Sequence, residues 1–462
     1  MAVLLAIISG IVSAWLSFDR WQGRREWDRY RAEALARGVK MTLLDFAPPV
    51  VAPEENYAVG TIFERAGSEP ADQAVHKRPL KLPQPKKPNP RAALAERIEA
   101  AKSAMIEAGW LKAEGLPPEA GRAVLLGLER FRAPLDELRA ARSRPRNRFL
   151  QSALPPPQTA FPQLMVAMDV AAVLALRSDA SLAVGEVSAA REDIVDGLRL
   201  YRAMIDEPTM ISALGRLTVL HVLMRSIDLG LAGELWREDD LRQIESFLGE
   251  IDLAADARRA FSSERGFVND ASIARGRLPL AEQVAQVESM DVTEELPQGW
   301  RLWWSLACGD QWRRLVLENR VLDHRLNQFQ AGFDRAFDRP PPDDPASKIT
   351  LSSMTDMFGK QYAVREMALR ETRVAMALAR FRIARGAYPD SLGELVPAFI
   401  GAIPADIIDG APVRYRRVEA DKFLLYSVGA NGRDDGGSAV LASGPAAGAF
   451  KALDWVWSEP WK

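Results

Sequence analysis

The sequence predicts a mostly α protein that begins with a membrane helix and ends in a small α+β head with a short antiparallel sheet. Three observations carry this prediction. Across residues 92–360 apolar side chains recur at three- and four-residue steps, in blocks separated by Pro and Gly, which is the period of amphipathic helices. Residues 2–18 form one uncharged apolar run. Residues 413–428 hold two β-rich segments bounded by Gly429. The chain divides accordingly into 1–18, a transmembrane or signal-anchor helix; 19–91, a charged helical stalk and Pro/Lys-rich linker; 92–360, an α-helical domain; and 361–462, the head.

A bilayer core calls for about 20 apolar residues, with about 17 as the lower limit. Ala2–Phe18 therefore fits a short transmembrane anchor or a signal-peptide core, with a buried core helix as the alternative. Trp15 and Trp21 are placed for a membrane–water interface. Val12-Ser13-Ala14 is a small-residue cleavage site without a basic segment ahead of it. Arginines at 20, 24, 25, 29 and 31 follow the run and, by the positive-inside rule, favour a cytoplasmic C-terminal side. Residues 19–37 continue as a charged helix closed by Gly38, the pattern of a solvated stalk. In 66–91, Pro70, Pro79, Pro83, Pro85, Pro88 and Pro90 alternate with basic residues. Fixed φ and missing N–H groups make such a segment an extended spacer. A patch for nucleic acid or anionic lipid is the alternative there.

In the helical domain the clearest stripe is Val187, Ala190, Ile194, Leu198, Tyr201 and Ile205, ended by Pro208. Leu214, Leu217, His221, Met224 and Leu231 make the next. Two striped helices with a short connection predict an antiparallel hairpin. It resembles a tetratricopeptide hairpin, but the chain has no self-match at the period of roughly 34 residues that a repeat array requires. Trp300, Trp303, Trp304 and Trp312 cluster before a last helix near 311–337. They could line a groove or fill a core.

The head opens with a helix whose face carries Val364, Met367, Val374, Leu378 and Phe381. Gly386 and Pro389 end it. Asp390–Leu395 follows as one short helical turn, and Val413–Arg417 and Lys422–Val428 pair across a hairpin-length gap.

Here the residues carry a resemblance. ARFRIARGAYPDSLGEL, then VRYRR, then FLLYSVGANGRDDGG resembles the C-terminal headgroup of type II secretion major pseudopilins over roughly the last hundred residues. The match rests on the YP turn and the YSVGANG loop, in the family's order and spacing. Over most of its length the chain also resembles uncharacterised membrane-anchored proteins of planctomycete or verrucomicrobial type, through EPTMISALGRL and the DWVW ending, a resemblance that implies no activity. The family's basic leader and early glutamate have no counterpart in MAVLLAIISGIVSAWLSF, so the resemblance implies the headgroup fold and not the filament. It further implies calcium in the loop Gly429–Gly437, with Asn431, Asp434 and Asp435 as ligands and Asp454 reaching in from the far side. Calcium takes six to eight oxygens, which one acidic Gly-rich loop can largely supply; an ordinary solvated turn is the alternative. The headgroup places the soluble part outside the cytoplasm, against the arginine count.

Composition narrows the function. In 462 residues the net charge is −2, with no basic excess to attract nucleic acid. One cysteine, Cys308, excludes an intramolecular disulfide framework, and three histidines make a multi-His metal centre hard to build. There is no G-x-S-x-G, P-loop, H-E-x-x-H or strand-linked G-x-G-x-x-G. His221 lies on an apolar stripe and reads as a core histidine; His324 reads as exposed. Glu207 and the Glu264/Arg265 pair read as structural polar contacts, and Cys308 as a small buried residue. The function expected is that of a membrane-anchored, non-enzymatic envelope or secretion-associated protein with protein partners. The alternative is an enzyme whose site is a cleft in the helical domain.

Overall fold

The computed structural model describes residues 1–47, 49–68, 80–84, 93–144, 146–149, 162–288, 300–330, 350–438 and 454–457. It is a helical protein with one small sheet, as the sequence predicts. Most of the 66–91 spacer and the Pro155–Pro157 and Pro340–Pro342 breaks lie outside the described residues.

Helix α1, Ala2–Ala36, is continuous through the boundary expected at residue 18. Short helices α2 (Ile62–Ser68), α3 (Leu94–Glu107), α4 (Ala120–Leu128) and α5 (Arg132–Ala140) cover one side of the main bundle. The predicted hairpin is present as α7 (Val187–Ala203) and α8 (Met210–Ala232), both packed on α6 (Pro162–Ala183). Thr209 caps α8, accepting from the Ser212 N–H at 3.2 Å. Next come α9 (Glu238–Leu248), α10 (Leu253–Arg275), α11 (Leu280–Glu288), α12 (Trp300–Ala307) and α13 (Asp310–Gln330). The longest helix, α14 (Thr350–Arg385), runs through the boundary expected at 360 and packs on α8, α9, α10 and α13. Its stripe residues Val364, Met367, Val374 and Leu378 are all buried.

At the centre, Arg216 of α8 forks onto Asp256 of α10 at 2.7 and 3.3 Å. Its remaining nitrogen donates to the Met204 and Glu207 carbonyls, and Tyr362 of α14 donates to Asp256 at 2.7 Å. Every one of these charges is buried and partnered, the condition under which a buried ion pair is tolerable.

The head follows α14. A 3-10 turn at Leu392–Leu395 leads to strands β1 (Arg414–Glu419), β2 (Lys422–Ser427) and β3 (Trp455–Val456), antiparallel in the order β1-β2-β3. The YP turn is pinned from the sheet: Arg417 donates to the Tyr388 carbonyl, and Tyr415 donates to that of Pro389. No strand lies in 92–360 among the described residues.

The reading of 19–37 as a solvated stalk is corrected. Gly23, Trp27, Tyr30 and Ala34 fall at helical steps and are buried. With Met41 they pack on Trp312, Leu315 and Val316 of α13. The abundance of arginines hides this stripe in the sequence. A Cβ on Gly23 would stand 2.5 Å from the Gly309 carbonyl oxygen, so α1 crosses the α12–α13 corner at glycine distance. Asp19 closes the contact, accepting from the Gly309 N–H at 2.8 Å and pairing with Arg313 at 2.7 Å. The hydrogen bond from Arg313, with that amide, holds its carboxyl below the usual value.

Candidate functional site

The four residues of the expected calcium site share one loop. Glycines 429, 432, 436 and 437 hold φ of 59°, 67°, 74° and 82°, a region that costs other residues strain. Asp454 is buried against them, and both its oxygens are engaged by the loop's own backbone. It accepts from the N–H groups of Gly437 at 2.7 Å, Ser438 at 3.1 Å and Asp435 at 3.3 Å. Burial, ahead of these amides, pushes its carboxyl upward. Asp434 accepts from the Tyr426 hydroxyl and the Gly436 N–H, and Asn431 donates to Asp435 at 2.7 Å. The carboxylates of Asp434, Asp435 and Asp454 do not come within 4.8 Å of one another as a group. As folded, the Asp454 carboxylate serves as a clamp on the loop's own backbone.

The head's main polar centre is Asp406, which the sequence reading missed. It accepts from Arg414 at 2.8 Å, the Ser427 hydroxyl at 2.9 Å, and the N–H groups of Ile408 and Val428. The available signal was Pro-Ala-Asp ahead of Asp409-Gly410, a turn signature in which an Asp side chain caps its own loop.

The seam between head and bundle is acidic. Asp228 of α8 accepts from the Trp457 indole and the Thr372 hydroxyl, each at 3.0 Å. Burial pushes its carboxyl to about 7. Glu371 of α14 is fully buried, and neither oxygen meets a donor in hydrogen-bond geometry. Burial, reinforced by the Asp406 and Asp228 charges, pushes it well up, and the weak opposition of the Ser427 backbone does not offset this.

The remaining candidates are scattered. Burial lowers His221 to about 3, so it is a neutral core residue. His324 is exposed. Glu207 accepts from the Phe149 N–H, and burial pushes Glu264 to about 7. Arg265 turns away from Glu264 to pair with Asp323 at 2.6 Å. Cys308 is buried, and with Asp19 and Asp310 it makes the only group of metal-ligand atoms within 4.8 Å among the described residues; Asp19 is already held by Arg313.

The tryptophans divide. Trp312 is core, whereas Trp303 and Trp304 are exposed, and Trp304 stacks on Trp15 of α1 at 5.6 Å. Phe18 and Trp21 stack beside them at 5.8 Å. Below this collar, Val3, Leu4, Ile7, Ile8 and Ile11 are exposed among the described residues. Among the described residues one helix is long and apolar enough to cross a membrane, and it is α8, not the N-terminal run expected from the sequence; 67% of its apolar window is buried in the bundle.

No protein family, curated protein or solved structure matches the chain.

Proposed function

We propose that this is a membrane-tethered, non-catalytic scaffold that holds a headgroup of the pseudopilin type at a fixed distance from the bilayer. The observation that carries the reading is the aromatic collar where α1 leaves the body. Exposed apolar residues lie on one side of it, and Arg20, Arg24 and Arg25 begin on the other. Rings with an apolar body and a polar edge favour that boundary. At a rise of 1.5 Å per residue, the 17 residues of 2–18 span about 26 Å, close to a bilayer core. The second half of α1 is clamped to α13, so the tether transmits orientation as well as position. The head's pinned YP turn and YSVGANG loop support the pseudopilin-like reading, and on that reading the body lies outside the cytoplasm. Its partners are proteins that dock on the head.

Support for a non-catalytic role comes from how several buried ionisable groups are used: Arg216, Asp256, Asp406 and Asp454 close structural contacts. Calcium at Gly429–Gly437 is the competing use of the loop. Calorimetric titration of the full-length protein with calcium separates the two uses. Membrane fractionation of full-length and Δ1–18 protein tests the tether. Full-length protein is expected in the membrane fraction and the truncation in the soluble one; equal partitioning rejects the reading.

A further inference from the structure

The contact of α1 with the body does more than hold the tether. Just past the end of α1, the 3-10 segment Leu43–Phe46 packs on α10, where the Leu43 N–H donates to Asp270 at 2.8 Å. Residues of this segment and of the turn 37–40 line, with α10 and α13, a cavity of about 460 Å³. That volume lies within the range of small-molecule sites, about 300–1,000 Å³, and far exceeds one water, about 30 Å³.

The cavity is basic. Arg265 forms its inner wall and is 1% exposed, yet it donates from one terminal nitrogen only, to Asp323. Its Nε is buried with no partner. Buried donors are ordinarily satisfied, and a guanidinium is built to fork onto an oxyanion. Asp323 does not cancel the positive charge, because the same carboxylate also accepts from Tyr30 at 2.9 Å and faces Arg37 at 3.9 Å. Arg37 and Lys40 stand at the rim, so the lining carries three cations and one anion, Asp323, with Asp45 near Lys40 just outside it. Asn327 at the mouth is a further polar donor, while Phe46 and Leu326 supply an apolar wall.

We propose that this cavity binds a small organic oxyanion, a carboxylate or a phosphate monoester with a short hydrocarbon or aromatic part. The oxyanion meets Arg37 and Lys40 at the rim and the Arg265 guanidinium in the inner lining; the apolar part lies against Phe46 and Leu326. The pocket is too large for bare phosphate to fill. Arg37 and Lys40 belong to the segment that ends α1 and Arg265 to the body, so an occupant ties the two together. The proposal does not depend on the membrane reading.

Calorimetric titration of the full-length protein in detergent with succinate, phenyl phosphate and neutral succinamide tests it. Saturable binding of at least one anion and none of succinamide is expected. Succinate alone binding identifies a carboxylate site, and phenyl phosphate alone a phosphate-ester site. Arg37→Ala and Lys40→Ala, both exposed, are expected to keep the melting temperature and to weaken binding about tenfold each, the loss of one charge-assisted contact. Arg265→Lys keeps the charge beside Asp323 and loses the fork, and is expected to abolish binding. No saturable binding of either anion, equal binding of succinamide, or affinity that both rim variants retain overturns the proposal.

Discussion

The head and the bundle bury carboxylates in opposite ways. Asp406 in the head collects four hydrogen bonds, two of them from backbone N–H groups, and Asp454 collects three, all from backbone. Glu371 in the bundle collects none in good geometry, and Asp228 is met by side chains alone. Backbone supply explains the contrast. A helix uses its N–H groups internally, so only its first turn has donors to spare. Loops and strand ends have free N–H groups and can wrap an acid. A bundle acid must find a side chain, as Asp256 does with Arg216 and Tyr362, or keep its proton.

Breaking the buried Arg216–Asp256 pair has the largest expected effect. Arg216→Met leaves Asp256 buried with only Tyr362 and is expected to cost about 3–5 kcal/mol, read as a lower denaturant midpoint. A loss below about 1 kcal/mol would mean that helix packing alone holds α8 to α10.

Next is Asp406→Ala, expected to cost about 3 kcal/mol by stranding buried donors in the head. Hydrogen exchange should rise in 406–428 and stay unchanged in α7 and α8. Uniform deprotection would show that head and bundle unfold as one unit.

Asp228→Asn is expected to stabilise. The usual carboxyl value is 3.8 and the folded value is about 7, so the folded state holds a proton that the unfolded state has lost. Wild-type stability therefore falls as pH rises from about 4 to 7 and is flat above. Asparagine removes that slope and can still accept from Trp457 and Thr372. The gain should be absent near pH 4 and reach on the order of 2–3 kcal/mol at pH 8. A melting temperature lowered equally at both pH values would make Asp228 an ordinary structural anion.

The smallest effect is Asp454→Ala, about 1–2 kcal/mol, because the loop amides it releases can turn to water. If calcium raises the wild-type melting temperature and the variant loses that rise, the loop belongs to the metal and not to the clamp.

The α7–α8 hairpin, the buried face of α14, the β1–β2 pairing and the YP turn were all legible in the sequence. Each is decided by neighbours within a few residues, so periodicity and turn chemistry suffice. The Asn431–Asp435 and Asp454 loop was placed by resemblance, but what its oxygens do was not. Arg216 meets Asp256 across 40 residues and Tyr362 meets Asp256 across 106. Arg265 faces Asp323 across 58. The packing of α1 on α13 depends on a glycine and two aromatic rings set among arginines. A charged side chain reads the same in sequence whether solvated, paired or lining a cavity. The desolvation that separates these states comes from atoms brought in by distant parts of the chain, so the sequence by itself determined which faces are apolar, and only the tertiary structure decided which charges have partners.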